Sequence, residues 1–315
     1  MPERMAYFQG RFMPLAEAKI GIMTHAFLYG TACFEGVRGN WNADDDTLYL
    51  FRVKEHYQRL RRSCAILRIK LPYTDDELCD LTSELAARAG FTEDVYIRPI
   101  AYKSEEAIGP RMHDVADDFL IFVMPFGAYL DDSGIRCMTS TWRRVDDLGI
   151  PARAKVNGLY INSALAKTEA LENGFDEAIM LDDRGHVSEG SGENIFIVRD
   201  GKLITPPPSD NILEGITRDS VITLAQDEFG IQTIERSIDR SELYVADECF
   251  MTGTAAHVTA VIEIDRRPVG AGEPGDVTKR LHARYSDTMR GREEKYAKWL
   301  IPVKPQVAGR QGVKA

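Results

Sequence analysis

The sequence predicts an α+β fold made of two blocks, and three observations indicate it. The first is an N-terminal mixture of strand-like and helix-like patterns, with strands at 46–52, 96–102 and 119–124 and helices at about 54–67 and 75–89. The second is a stretch near 126–134 whose Gly and Asp residues break the periodicity. The third is a later block, with strands near 136–141, 176–181, 194–198 and 247–252 and helices at 160–174 and 217–230.

These patterns predict the domain organisation. We expect a smaller N-terminal domain at 1–125, an inter-domain loop at 126–134 and a larger domain at 135–300. Gly174 and Gly230 are expected to end the two helices of the larger domain. The tail at 301–315 is rich in Pro and Gly and has no apolar face, so it is expected to be mobile.

Composition excludes several classes of protein. With 315 residues and 44% hydrophobic content the chain can bury a full core, as a soluble globular protein does. The net charge of −10 and the lack of a basic stripe argue against nucleic acid as a partner. No apolar run is long enough to cross a membrane and no signal peptide is recognised, so the cytoplasm is expected. Five cysteines without C-x-x-C, and histidines that do not cluster with them, imply no metal site.

Anion binding is suggested by one helix start. The nucleotide motifs G-x-G-x-x-G and G-x-x-x-x-G-K-[ST] are missing. In EGITRDS (214–220), however, Gly215 lets the backbone approach a ligand, and the N–H groups of Ile216 and Thr217 open a helix toward an anion. Simple helix capping explains the same residues. The turn MTGTAAH (251–257) offers threonine hydroxyls beside glycine, or is a closely packed strand end.

Two lysines and a basic run are candidates for a catalytic or ligand-binding role. Lys155 is placed at a predicted strand-to-helix junction, where a partly buried lysine can become a nucleophile toward a carbonyl. A surface lysine remains the alternative. Lys167, inside a predicted helix beside acidic residues, is expected to be solvated. The basic run 59–70 has apolar residues at helical spacing, which by itself indicates a helix with a solvated charged face.

Six stretches together resemble a known family. They are FLYGTACFEGVRG (27–39), YIRP (96–99), AKVNGLYINS (154–163), VSEGSGENIF (187–196), LEGITRD (213–219) and TGTAAH (252–257). In this order, over about residues 20 to 270, they resemble the fold-type IV pyridoxal-phosphate enzymes, and most closely the branched-chain amino acid aminotransferases. The resemblance implies a smaller N-terminal α/β domain and a larger C-terminal α/β domain that binds pyridoxal 5′-phosphate.

The resemblance also implies roles around the cofactor. Lys155 corresponds to the Schiff-base lysine, which also moves the proton between Cα and C4′. Glu189 corresponds to the carboxylate that faces the pyridine nitrogen, whereas Glu193 is expected to be structural. The residues implied to hold the phosphate of the cofactor are Arg59, Ile216, Thr217 and Thr254. The residue implied to lie near the phenolic oxygen of the cofactor is Tyr160.

Substrate residues are implied in the same way. The side-chain pocket corresponds to Tyr29, Phe34, Arg98, Tyr129 and Tyr160. Tyr29 is expected to reach across from a second subunit, so the active form would be at least a homodimer with active sites near the subunit interface. The site of the α-carboxylate corresponds to Thr254, Ala255 and Tyr96. Arg98 or tyrosine hydroxyls would pair the γ-carboxylate of glutamate, unless Arg98 forms a structural ion pair.

The implied activity is transfer of the amino group of L-leucine, L-isoleucine and L-valine to 2-oxoglutarate, by a ping-pong cycle through pyridoxamine phosphate. Its partners are thus small amino acids and 2-oxo acids. D-amino-acid and (R)-amine transaminases and aminodeoxychorismate lyase would share Lys155 and Glu189, and remain alternatives. A non-catalytic phosphate-binding module built on 214–220 is the alternative outside enzymes. The chain departs from many relatives at His257, where they carry an acid, and it places Cys33 beside Phe34.

Overall fold

The computed structural model describes residues 2–127, 130 and 133–306. Its strands are β1 (Met5–Phe8), β2 (Arg11–Pro14), β3 (Ala32–Phe34), β4 (Val37–Asn42), β5 (Thr47–Phe51), β6 (Val95–Lys103), β7 (Asp117–Pro125), β8 (Ile135–Thr139), β9 (Glu177–Leu181), β10 (Val187–Gly190), β11 (Asn194–Arg199), β12 (Lys202–Thr205), β13 (Thr233–Glu235), β14 (Glu248–Gly253), β15 (His257–Ile264), β16 (Arg267–Pro268) and β17 (Leu300–Val303). Its helices are α1 (His25–Tyr29), α2 (Val53–Ile66), α3 (Asp75–Ala89), α4 (Tyr160–Glu172), α5 (Ile216–Phe229) and α6 (Asp276–Met289).

The described residues fall into two compact units. The first contains the residues up to Gly127, the segment Ala154–Gly158 and the residues from Asp287 onward; the second contains the remainder. The sequence did not assign the segment 154–158 or the residues from 287 to the first unit. No helix in the described part of the chain is both long enough and apolar enough to span a bilayer.

The first unit is built on one antiparallel sheet. Its strands run in the order β17-β5-β4-β6-β7-β1-β2, and β3 pairs with β6. Fully buried side chains such as Leu48, Leu50 and Ile97 alternate along the strands, which is the pattern that predicted them. Helix α3 begins with a capping box between Thr74 and Glu77. The predicted strands and helices of the first block are confirmed.

One prediction for this unit is wrong. The tail from 301 was expected to be mobile, but Ile301–Val303 belong to β17, which pairs with β5 along Leu48–Phe51. The strand is short and contains Pro302, which sits on an edge strand, where a missing N–H is tolerated. Its pattern was therefore too weak to recognise. Residues 307–315 of the predicted tail lie outside the described residues.

The second unit is built on a mixed sheet. The order is β10-β9-β8-β15-β14-β11-β12-β13, with β16 beside β15, and β8 pairs in parallel with both β9 and β15. Its core contains Ile179, Ile195, Met251 and Val261. The four predicted strands and both predicted helices are confirmed, and Gly230 caps α5 in the left-handed conformation, with φ of 64°. Strand β10, whose residues are V-S-E-G, was missed because polar and glycine residues hide it.

Candidate functional site

Lys155 lies in the first unit, just before the 3-10 helix Asn157–Leu159. Its N–H donates to Ser63 Oγ on α2 (3.1 Å), and its carbonyl oxygen accepts the N–H of Phe34 on β3 (3.0 Å). The ammonium of this half-buried lysine lies 5.1 Å from the centre of the Phe34 ring. A turn, not the predicted strand, precedes the lysine. Strand β3 and helix α2 thus fix its backbone.

Arg59 on α2 is buried in a charged network. Its Nε and Nη2 donate to the two carboxylate oxygens of Glu35, each across 2.7 Å, and His56 Nδ1 lies 2.7 Å from Glu35 Oε2. Burial alone would raise the pKa of Glu35, but Arg59 and His56 outweigh it and bring that pKa well below its usual range. Burial lowers the pKa of His56 despite the nearby carboxylate.

This network corrects the prediction for the basic run 59–70, and it brings in two residues that the sequence analysis did not name. A solvated charged face on 59–70 is wrong at Arg59, because the guanidinium packs inward against Glu35. Glu35 and His56 were not singled out. The signal that could have found them is the spacing of His56 and Arg59, three residues apart on one face of α2, combined with an acidic residue in the FEG stretch.

Arg98 and Tyr96 lie on the same face of β6. Arg98 Nη2 donates to the Tyr96 hydroxyl (2.8 Å), and its guanidinium carbon lies 4.4 Å from the centre of the Phe34 ring. Among the described residues, buried Arg98 Nε has no hydrogen-bond partner and the guanidinium forms no ion pair. The alternative of a structural ion pair therefore finds no support in the described part of the chain. A Cβ at Gly36 would overlap the Tyr96 hydroxyl, so the glycine leaves room for that side chain in its present position.

Two further residues of the predicted side-chain pocket are Tyr29 and Tyr129. Tyr29 ends α1 and is partly exposed; its hydroxyl accepts the N–H of Gly109 (2.8 Å), and its ring lies 4.8 Å from that of His25. Tyr129 lies outside the described residues. Within the first unit, the structure brings Lys155, Phe34, Arg98 and Tyr96 together, whereas the described contacts of Tyr29 are elsewhere.

Glu189 on β10 lies at the centre of a cluster of hydrogen-bonded polar residues in the second unit, and only 4% of it is exposed. Arg144 Nη2 lies 2.6 Å from Glu189 Oε1. Asn194 Nδ2 and the N–H of Leu213 donate to Oε2, across 3.1 and 3.0 Å. Both oxygens are thus held by donors, which fixes the orientation of the carboxylate. Arg144 was missed from the sequence, because it lies 45 residues before its partner and in no recognised motif.

Helix α5 begins beside this carboxylate. Gly215 precedes it and contributes no capping side chain. A Cβ at Gly215 would overlap Asn194 Oδ1, so the glycine allows the helix start to approach the residue that binds Glu189. Ile216 and Thr217 are buried in the first turn, and the Thr217 hydroxyl lies 3.4 Å from that of Tyr285. The predicted helix start is confirmed, and capping by a side chain does not explain it.

The turn between β14 and β15 carries Thr254 and Ala255, both partly buried. Just before it, Thr252 Oγ1 is buried and has no hydrogen-bond partner among the described residues. His257, just after it, has a positive φ of 57°, in the left-handed region that disfavours most side chains. Tyr160, the first residue of α4, is also partly buried.

Glu193 is buried close to the strand that carries Glu189. Burial, and then the charge of Glu177, raise its pKa to about 8. Lys167 Nζ donates to Glu177 Oε2 (2.6 Å) and to the carbonyl of Asp176 (2.7 Å). The expectation that Lys167 is solvated is therefore wrong, because the fully buried Glu177 carboxylate requires a cation.

One group of metal-binding residue types occurs in the described part of the chain. Asp182, His186 and Asp210 each place one ligand atom within 4.8 Å of the others. Arg184 Nη2 already lies 2.9 Å from Asp182 Oδ2 and 2.7 Å from Asp210 Oδ1. The guanidinium takes the place that a cation would occupy between the two aspartates.

Known proteins resemble the chain over nearly its whole length. The family model "Amino-transferase class IV" matches residues 32–264. A protein of Aquifex aeolicus called "Probable branched-chain-amino-acid aminotransferase" is 52% identical over 95% of this chain and 96% of its own length.

Two solved structures are also similar. The branched-chain aminotransferase of Thermoproteus uzoniensis with norvaline has a TM-score of 0.91 and 45% identity, covering 95% of this chain and 98% of that one. The branched-chain amino acid aminotransferase of Thermobaculum terrenum, in its PLP-form, has a TM-score of 0.90 and 37% identity. That alignment covers 95% of this chain and 97% of the other.

Proposed function

The chain belongs to the class IV aminotransferases, and we propose that it transfers the amino group of L-leucine, L-isoleucine and L-valine to 2-oxoglutarate with pyridoxal 5′-phosphate as cofactor. The observation that carries the proposal is the setting of Lys155: its backbone is fixed by Ser63 and Phe34, while its ammonium lies beside an aromatic ring. A lysine held in this way can act repeatedly as nucleophile and base at one place.

The first unit would contribute a base and a cation. When bound, the cofactor withdraws electrons from the amino acid's Cα and so makes its proton acidic. We assign to Lys155 the covalent attachment of the cofactor and the removal and return of that proton. We assign to Arg59 the phosphate, since Glu35 and His56 fix its guanidinium and a planar cation suits a phosphate.

The second unit would contribute an anion, donors and a helix start. The residues fit the cofactor on chemical grounds: the Glu189 carboxylate, oriented by Arg144 and Asn194, suits a protonated ring nitrogen. The start of α5 at Ile216 and Thr217, with Gly215 before it, suits a phosphate. We propose that Thr254 also contacts the phosphate and that Tyr160 contacts the phenolic oxygen.

The substrate would be recognised by aromatic and cationic side chains. Phe34 offers an apolar wall to branched side chains, and Arg98, whose Nε is buried without a described partner, offers a donor to the γ-carboxylate of glutamate. We propose that Thr254, Ala255 and Tyr96 bind the α-carboxylate, and that Tyr29 and Tyr129 complete the side-chain pocket.

We also propose that the active form is a homodimer in which Tyr29 serves the other subunit. The support is a group of exposed apolar side chains around α1, namely Ile22, Phe27 and Ile108, which would be costly to leave in water. The two compact units would correspond to the N-terminal and C-terminal domains that the resemblance implies. The five cysteines are all buried free thiols, which suits a reducing compartment, so we place the enzyme in the cytoplasm.

Covalent trapping tests the assignment of Lys155. Borohydride reduction of the purified holoenzyme should fix the cofactor to the peptide that contains Lys155, as read by peptide mass mapping. Adding L-leucine without an acceptor should abolish the visible absorbance of the bound cofactor. Lys155→Ala should lose both signals, whereas Lys202→Ala, at an exposed lysine, should keep them. A protein that carries no cofactor, or carries it on another lysine, would refute the assignment.

A half-reaction screen tests the substrate class. Single-turnover rates should be high with L-leucine, L-isoleucine, L-valine and L-glutamate, and low with D-alanine and (R)-1-phenylethylamine. Fast turnover of a D-amino acid or an (R)-amine, with slow turnover of L-leucine, would assign the chain to another activity of the same fold.

A further inference from the structure

Two cysteines of the first unit lie in contact. Cys33 on β3 and Cys64 on α2 place their sulfur atoms 3.5 Å apart, and their exposed fractions are 0% and 2%. Among the described residues, no other pair of cysteines makes such a contact. Because a disulfide requires an S–S distance of about 2.05 Å, the sulfurs would have to approach by about 1.5 Å.

A cavity borders one of the two cysteines. Cys64 lines a cavity of about 640 Å³ whose wall also includes Arg68, Lys70, Lys103 and His113. Arg68 and Lys70 are exposed, so the cavity opens at the surface. Its size admits a small molecule such as a hydroperoxide. Its wall carries carboxylates as well as cations, namely Asp114 and Asp117, and Asp117 Oδ1 lies 2.8 Å from Lys103 Nζ.

The two thiols differ in their surroundings. The hydrogen bond with Cys64, together with burial, raises the pKa of Cys33 far above its usual range. Cys33 therefore keeps its proton, and Cys64, which borders the cavity, is the thiol that meets an oxidant first.

We propose that Cys33 and Cys64 form an oxidative modification site in which a hydroperoxide converts the two thiols into a disulfide. The Cys64 sulfur attacks the terminal oxygen of the hydroperoxide, the O–O bond breaks, and Cys64 becomes a sulfenic acid while the hydroperoxide is reduced to an alcohol or to water. The Cys33 sulfur then attacks the Cys64 sulfur, and the Cys33 proton leaves with the hydroxide as water. In a reducing compartment, thiols return the pair to its starting state.

The modification would act on the segment that carries Lys155. Phe34, the residue after Cys33, donates its N–H to the Lys155 carbonyl, and Ser63, the residue before Cys64, accepts the Lys155 N–H. The neighbours of both cysteines thus hold the lysine backbone. Drawing the sulfurs together strains both hydrogen bonds to the Lys155 backbone, so the disulfide should lower turnover. This last consequence rests on the proposed function, whereas formation of the disulfide does not.

The test oxidises the holoenzyme with hydrogen peroxide and maps its peptides without reduction. We expect one intrachain disulfide between Cys33 and Cys64, the loss of two free thiols in a thiol titration, and a several-fold fall in turnover that dithiothreitol restores. Cys33→Ser should leave Cys64 as a sulfenic or sulfinic acid, and Cys64→Ser should keep its turnover under peroxide. Cys79→Ser, at a buried cysteine elsewhere, should behave as the wild type.

Different outcomes separate the two proposals. Peptide maps in which peroxide oxidises Cys79, Cys137 or Cys249 before the Cys33–Cys64 pair would overturn the modification site, whatever the activity. If the disulfide forms and turnover is unchanged, the proposed effect of the disulfide on Lys155 is overturned. If the protein shows no transaminase activity at all, the mapping result still decides whether the site exists.

Discussion

Arg144 and Glu189 form a buried ion pair in the second unit, with Nη2 and Oε1 2.6 Å apart and both side chains about nine-tenths buried or more. Removing the arginine would leave a carboxylate in the interior without its cationic partner, while Asn194 and Leu213 still donate to it. We expect Arg144→Met to lower the free energy of unfolding by about 3 kcal/mol, as loss of one partner of a buried pair does. Urea unfolding measures the change.

The neighbouring arginine provides the control for this prediction. Arg143 is exposed, and within the described part of the chain its guanidinium donates to the carbonyl of Asp183 alone. Arg143→Met should therefore change the unfolding free energy by less than about 0.5 kcal/mol. Equal effects of the two substitutions would mean that the Arg144–Glu189 pair contributes no more to stability than an exposed arginine does.

Glu189→Gln should retain the cofactor and slow the half-reaction with L-leucine by orders of magnitude. The amide keeps the shape of the side chain but removes the negative charge that would stabilise a protonated ring nitrogen. Stopped-flow absorbance measures the rate, and Glu172→Gln, at an exposed glutamate of α4, is the control. Normal rates in the Glu189 variant would exclude its assigned role.

Arg98→Ala should impair glutamate more than leucine. Only glutamate presents a second carboxylate, and a hydrogen bond to a charged group is worth about 1.5–3 kcal/mol, or roughly 10- to 100-fold in kcat/KM. The measurement is the ratio of kcat/KM for the two amino donors. Tyr96→Phe, which removes the hydroxyl that Arg98 contacts, should change this ratio less. Equal losses for both donors would show that Arg98 does not select the γ-carboxylate.

Glu193 should make stability fall as pH rises. Its folded-state pKa of about 8 exceeds the value of 4.5 expected for an unfolded chain, so the folded state binds the extra proton between these values. Raising the pH from about 5 to about 8 therefore costs stability. Glu193→Gln removes the titration, and denaturant unfolding across this range should show a flatter profile than the wild type. Parallel profiles would contradict a protonated Glu193.

Local patterns in the sequence were sufficient for the central strands and the long helices. Strand β6 and helix α3 carry strong periodicity and, for α3, a capping box, so each could be recognised without its neighbours. Strand β10 could not, since its residues V-S-E-G pair and bury through contacts with β9 that no local pattern reveals. The short strand β17 was missed for the same reason.

The residues of the candidate site also divide into those that the sequence indicates and those that it does not. Motif resemblance singled out Lys155, Arg98 and Glu189, and their neighbours Phe34 and Tyr96, but it did not single out Ser63 or Arg144. Arg144 is distant in sequence from Glu189, and Ser63 supports Lys155 from 92 residues away. Such supporting contacts arise from the tertiary fold, and a single sequence carries no signal of them.

The strand β17 has a consequence for synthesis of the chain. It completes the sheet of the first unit beside β5, yet it follows the whole second unit in sequence, and Arg290 likewise reaches back to pair with Asp94 (2.8 Å). A ribosome therefore delivers the entire second unit before the first sheet has its last strand. During that interval the edge of β5 that β17 will cover is open to other strands, so a pause in translation before residue 300 prolongs the time for which the nascent chain can aggregate through this edge.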